Sequence, residues 1–125
     1  MIYNFFLVCL TFYLNPFLYG ARSITKEDIV NLKYVSSAQI SPNGENICYT
    51  LSTPRKESEK PGPRHTQVWV KRINDKDPIQ FTSSGYNSYS PQWNPNGKEI
   101  TFLSLRKEIS EKTQLYSIPI DGGES

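Results

Sequence analysis

Pro91-Gln92-Trp93-Asn94-Pro95-Asn96-Gly97-Lys98-Glu99-Ile100-Thr101-Phe102 decides the fold of this 125-residue chain, because the chain has already spelled it once. Ala38-Gln39-Ile40-Ser41-Pro42-Asn43-Gly44-Glu45-Asn46-Ile47-Cys48-Tyr49 carries Gln, Pro, Asn, Gly and Ile in the same register, with Pro42 to Pro95 and Gly44 to Gly97 both 53 positions apart. Self-similarity at such a period signals a repeat architecture, in which each unit buries its apolar face only against a neighbour. Within each unit the proline presets φ near −65°, asparagine tolerates the next turn position, and glycine takes the left-handed conformation that other residues resist. That combination predicts a hairpin with a type I turn and a glycine bulge.

Working outward, each turn leads into a β run, Ile47-Cys48-Tyr49-Thr50-Leu51 or Ile100-Thr101-Phe102-Leu103. Aliphatic or aromatic residues stand at every second position, the period that turns one face inward. A polar loop and another apolar patch follow, Val68-Trp69-Val70 or Gln114-Leu115-Tyr116-Ser117-Ile118. The first loop is longer by six residues, since Gln67 to Gln114 is 47 positions against 53 for the turn. Between the units Pro78-Ile79-Gln80-Phe81-Thr82 reads as a fourth, outer strand. Four short strands per unit is the pattern of a propeller blade. The expected fold is therefore all-β, a partial β-propeller of about two four-stranded antiparallel blades of WD40-like or TolB-like kind.

The stretch 79–82 and then 90–104 resembles a blade of the propellers in the prolyl oligopeptidase family of serine peptidases. Gln114-Leu115-Tyr116-Ser117-Ile118-Pro119-Ile120-Asp121-Gly122-Gly123-Glu124 is similar to the third strand and exit turn of such a blade. The opening Ile24-Thr25-Lys26-Glu27-Asp28-Ile29-Val30-Asn31-Leu32-Lys33-Tyr34-Val35-Ser36 resembles the lead-in to the first blade in the acylaminoacyl- and dipeptidyl-peptidase branches. Asn43 and Asn96 stand where those turns usually carry aspartate, and Asn94 where they carry serine. The same turn occurs in non-catalytic TolB-like periplasmic propellers, which is the alternative implied. The resemblance to the peptidases implies a propeller that gates the access of short peptides to a C-terminal α/β-hydrolase domain holding a Ser-Asp-His triad.

The first twenty residues contain no charged side chain, 5–14 are almost unbroken apolar sequence, and Gly20-Ala21 supplies small residues for cleavage. Residues 1–21 are expected to be a secretory signal peptide or an uncleaved anchor, which makes the protein secreted or periplasmic. Residues 22–35 form a lead-in segment. Thr25 is its N-cap, Glu27 and Asp28 favour the positive end of a short helix, and that helix packs on the first blade. Residues 36–125 hold the blades. Since closed propellers use about four to eight blades, the expectation is an N-terminal fragment of a longer protein, whose partners are its own further blades and catalytic domain.

No catalytic, cofactor-binding or metal-binding residue is expected within the chain, and no cofactor. There is no Gly-x-Ser-x-Gly elbow. The single histidine, His65, falls in the polar loop, and one loop histidine is assigned no triad role without its partners. Cys48 takes the place of Thr101 in the other repeat and reads as a small side chain packed in a sheet; Cys9 lies in the apolar leader. Trp69 and Trp93 lie in β runs and read as blade core. The loop 55–64 mixes both charge signs with two prolines and a glycine, so it is solvated, and it is the segment best placed to reach a substrate or a partner domain. Fourteen basic and twelve acidic residues are interleaved, which gives none of the one-signed surface that nucleic acid requires. Contact with a membrane is expected only through residues 1–20 if they are uncleaved.

Overall fold

The computed structural model describes residues 21–106 and 111–122. Residues 1–20, expected to be a signal segment, lie outside the described residues, as do 123–125, where an outer strand of the second unit is expected to begin. The described chain runs as helix α1 (Lys26–Asn31) followed by seven strands: β1 (Tyr34–Ile40), β2 (Asn46–Thr53), β3 (His65–Arg72), β4 (Ile79–Gln80), β5 (Ser88–Trp93), β6 (Glu99–Ser104) and β7 (Gln114–Pro119). They form two antiparallel sheets, β1-β2-β3-β4 and β5-β6-β7, neither closed on itself. This open arrangement is consistent with part of a propeller.

The 53-residue repeat extends from sequence into backbone. Gly44 and Gly97 both take positive φ, +75° and +69°. Each closes the turn on its own repeat: Gly44 N donates to Ser41 O at 2.9 Å, and Gly97 N donates to Asn94 O at 2.8 Å. Ser41 N to Asn46 O and Asn94 N to Glu99 O seal the two hairpins alike. Ser37 and Ser90, also 53 apart, are the two non-glycine residues with positive φ among those described. Each sits where the β1–β2 or β5–β6 register slips, so a left-handed serine forms a bulge in the first strand of both sheets. Each bulge bends its strand and increases the local right-handed twist, so the two sheets share the same distortion at the same place.

Packing breaks this symmetry. The core gathers Cys48, Val68 and Val70 from the first sheet against Ile100, Phe102 and Ile118 from the second. Cross-strand partners share a face, and Cys48 pairs with Val70 while Thr50 pairs with Val68. The first sheet therefore turns its Cys48–Thr50–Ser52 side to the second, and Ile47, Tyr49 and Leu51 face the other way, half-buried. This corrects the expectation that the aliphatic residues of β2 point inward. In β6 they do, with Ile100 and Phe102 fully buried. We call the mutually packed sides inner faces and the opposite sides outer faces. The physical reason for the difference is that β2 is apolar on one side and small on the other, and period alone does not say which side finds a neighbour.

Trp69 follows the same logic. It pairs with Tyr49, lies on the outer face and stands outside the core, a second correction. Trp93 packs against the core as expected, and its Nε1 donates to Gln39 O across the sheets at 3.2 Å. The lead-in begins as anticipated: Thr25 caps α1, and Asp28 completes a capping box. Arg22 pairs with Asp28, whose carboxyl is held well below the usual carboxylate range by that guanidinium and by Thr25. Packing of the helix is different from the expectation, since no residue of α1 is buried. Its tether is Arg64, which donates to Val30 O at 3.1 Å and to Leu32 O while its guanidinium lies 5.5 Å from the Tyr34 ring centre.

Candidate functional site at the end of the two sheets

The β2–β3 connection, the linker from β4 to β5 and Leu105 meet at one end of the sheets around a cleft of about 420 Å³. The first wall is the loop already singled out by its mixed charge. His65 is not within that loop: it is the first residue of β3, paired with Thr53, which corrects its sequence placement. Hairpin geometry brings Glu59 back onto it, with Nε2 of His65 2.6 Å from Glu59 Oε2. Arg55 Nη1 lies 3.5 Å from the same carboxylate oxygen, while its Nε donates to Pro63 O at 2.7 Å. The loop is solvated at its tip and fastened at its base. The hydrogen bond from His65, aided by the two nearby positive groups, holds the Glu59 carboxyl below its usual range.

The second wall is a polar seam. Gln67 Nε2 donates to Tyr86 O at 2.8 Å, and Thr82 Oγ1 donates to Gln67 Oε1 at 2.6 Å while accepting from Val68 N at 3.0 Å. Asn87 binds both sheets: its Oδ1 accepts from Thr66 N, its Nδ2 donates to Arg64 O, and its carbonyl accepts from Ser104 Oγ. These bonds complete the edge of β3 beyond the two-residue β4. The buried amide of Gln67 and the hydroxyls of Thr82 and Ser104 are satisfied here, which fixes the linker against the sheets. A second hollow of about 400 Å³ opens on the outer face of the first sheet, where Leu51 and Trp69 form the floor and Lys56, Glu59 and Ser84 part of the rim.

Among the described residues, the imidazole of His65 is bonded to a carboxylate and to no serine hydroxyl, and no three His, Cys, Asp or Glu side chains are placed to hold a metal ion. Cys48 is fully buried, and burial pushes its thiol up to about 11, as suits a packing residue. What the site can do is hold a loop and a linker in fixed relation beside a cleft of mixed lining, with Arg55, His65 and Asn87 beside Pro63, Tyr86 and Leu105. By sequence alone His65 counts with the loop and takes no role; the Arg55–Glu59–His65 cluster appears only when the hairpin closes. No helix among the described residues is long and apolar enough to cross a membrane.

No protein-family model matches the chain. Among curated proteins it is similar to an uncharacterized peptidase, YuxL, of Bacillus subtilis (strain 168), at 26% identity over 104 residues, which is 83% of this chain and 15% of that protein. It is also similar to dipeptidyl-peptidase 5 of Porphyromonas endodontalis, at 27% over 99 residues, covering 79% of this chain and 14% of the relative. The dipeptidyl-peptidase 5 of Porphyromonas gingivalis is 28% identical over 81 residues, 65% of this chain and 11% of the relative. At 26–28% identity the chain is a distant homologue of these peptidases over part of its length, and it spans 15% or less of theirs.

Proposed function

We propose that this chain supplies the first two blades of a β-propeller in a secreted or periplasmic serine peptidase of the prolyl oligopeptidase family. On this reading residues 1–21 direct or anchor the protein, 22–35 lead in, and 36–125 belong to the propeller. The bond-breaking Ser-Asp-His triad then lies in an α/β-hydrolase domain elsewhere in the whole protein, and these blades restrict entry to short peptides. The observation that carries the proposal is a single one. Two sheets built on one 53-residue repeat, down to paired bulges and turns, occur in a chain distantly homologous to peptidases. The polar seam and the fastened loop suit a scaffold whose shape must persist while a neighbouring domain turns over substrate.

The test is made on the complete gene product that carries these residues. It should be labelled by a fluorophosphonate directed at an activated serine, release chromophore from dipeptidyl amides, and leave folded casein-sized substrates largely intact. Loosening the contact between the sheets with Phe102→Ala should raise cleavage of long polypeptides relative to short ones. A product that takes no label would overturn the peptidase reading and leave a binding propeller of the TolB-like kind.

A further inference from the structure

We infer that the Asn96–Gly97 bond is a site of spontaneous modification, where the asparagine side chain cyclises onto the backbone and loses ammonia, and that the equivalent Asn43–Gly44 bond is protected. The reaction needs an asparagine followed by an unshielded backbone nitrogen, and glycine, with no Cβ, shields its nitrogen least. The chain carries this dipeptide twice, 53 positions apart, at the tips of the β1–β2 and β5–β6 hairpins. Both asparagines are exposed to water.

The step balances with water as the only co-reactant. Gly97 N gives up its proton and attacks Cγ of Asn96. The new C–N bond closes a five-membered imide, the Cγ–Nδ2 bond breaks, and the nitrogen leaves as ammonia with the proton that Gly97 N gave up. Water then opens the ring. Opening at the former side-chain carbonyl gives aspartate, and opening at the backbone carbonyl gives isoaspartate, whose main chain runs through an extra methylene. Either product adds a carboxylate at position 96. Isoaspartate also lengthens a turn that Gly97 N closes on Asn94 O at 2.8 Å.

Backbone restraint does not separate the two sites. Gly44 N is held by Ser41 O at 2.9 Å just as Gly97 N is held by Asn94 O, and the glycine φ angles are +75° and +69°. Each nitrogen is released only when its turn opens locally, which exposed turns do at less cost than strands in the core.

The side chains do separate them. The Asn43 amide is held at both ends: Oδ1 accepts from Ser41 Oγ at 2.6 Å and from Glu45 N at 3.2 Å, while Nδ2 donates to Glu45 Oε2 at 2.8 Å. The Asn96 amide is held at one end, where Oδ1 accepts from Lys98 N at 2.9 Å. Its Nδ2, the leaving group, has no partner among the described residues. Charge acts in the same direction, since Glu45 and Lys98 occupy the same place in the repeat. Cyclisation passes through a deprotonated nitrogen and then a tetrahedral oxyanion, both negative. The Glu45 carboxylate on the Asn43 amide raises their energy, whereas Lys98 brings the opposite charge to the other turn.

Peptide mapping by mass spectrometry tests the site on the complete gene product, aged in mildly alkaline buffer and sampled over time. Conversion of amide to acid, with isoaspartate detected by an isoaspartyl methyltransferase, should run about tenfold faster at Asn96 than at Asn43, the worth of one hydrogen bond to a charged group. Lys98→Glu should slow conversion at Asn96, and Glu45→Lys should speed it at Asn43; both positions are exposed, and both turn glycines stay in place. In denaturant the bonds that hold the Asn43 amide are lost, so the ratio of the two rates should shrink. Equal rates in the folded protein, faster conversion at Asn43, or a ratio that denaturant leaves unchanged would overturn the inference. None of these results bears on serine labelling, so this inference and the peptidase reading fail separately.

Discussion

The two sheets are written by one repeat and differ in what happens to it. Ile47 and Tyr49 of β2 occupy the positions of Ile100 and Phe102 of β6, in the same register with respect to the same turn. In the second sheet this side is sealed, and Phe102 is fully buried against the first sheet and stacked on Tyr116. In the first sheet it is half-covered and ends in the hollow floored by Leu51 and Trp69. Local sequence fixes the hairpin, the bulge and the alternation; a neighbouring sheet fixes which side becomes core. Burial is therefore a property of position in the stack, and the same apolar residue stabilises strongly in one repeat and weakly in the other.

The sharpest way to break this comparison is to truncate equivalent side chains. Phe102→Ala should cost about 3–5 kcal/mol, as expected for a fully buried aromatic residue, enough to threaten folding of so small a unit. Tyr49→Ala should cost about 1 kcal/mol, since most of what it loses is half-exposed surface. Denaturant midpoints, compared at concentrations low enough to keep the chains apart, read both. Equal losses would mean that the outer face of the first sheet is as covered as the inner face of the second.

The turns should behave the opposite way, with equal effects in both repeats. Gly44→Ala and Gly97→Ala each place a Cβ at positive φ, and each should cost about 1–2 kcal/mol. Sterics do not separate them: a Cβ on Gly44 meets nothing within 4 Å, and one on Gly97 meets Pro42 at ordinary contact distance, 3.7 Å. A large difference between the two would show that the turns are not equivalent in the folded state.

A smaller effect concerns the inner face of the first sheet. Thr50 Oγ1 is buried there and makes no hydrogen bond among the described residues. Thr50→Val keeps the shape and removes an unsatisfied hydroxyl, so it should raise stability by about 1 kcal/mol. The matching change on the open face, Leu103→Thr, should change stability less, because water can reach the hydroxyl.

The smallest effect is the pH response of the fastened loop. Glu59 has its pKa lowered by the hydrogen bond from His65, so its contribution is complete above the ordinary carboxylate value of 4.5. It is lost as pH falls through the lower, folded value, where protonation ends the ionic contact. The advantage of the wild-type chain over Glu59→Gln, measured by hydrogen exchange at Thr66 and Gln67, should be present at neutral pH and shrink on acidification. An advantage that grows in acid would mean the carboxylate is held by something else.

Much of this was legible in the residues. Pro42-Asn43-Gly44 and Pro95-Asn96-Gly97 announce their hairpins through turn chemistry, Thr25 announces its helix, and the short outer strand at Ile79–Gln80 falls where the apolar residues between the units place it. The inner side of β2 was hidden because both of its sides carry groups that tolerate burial, small ones on one side and apolar ones on the other. Trp69 misleads for the same reason: an aromatic residue in a β run suits core and exposed face equally until a neighbour is known. The bulges at Ser37 and Ser90 gave no chemical hint, since serine is not a residue that favours positive φ; only their 53-residue spacing marks them. The Arg55–Glu59–His65 cluster is a product of hairpin closure, which spacing within a polar loop does not specify.

The most direct measurement is a methyl NOESY spectrum of the chain at a concentration where it is monomeric. The account predicts cross-peaks from the methyls of Val68 and Val70 to those of Ile100 and Ile118 and to the Phe102 ring, and none from Ile47 or Leu51 to any residue of the second sheet. Cross-peaks from Ile47 or Leu51 to Phe102, with none from Val68 or Val70, would contradict it, because the first sheet would then present its other face.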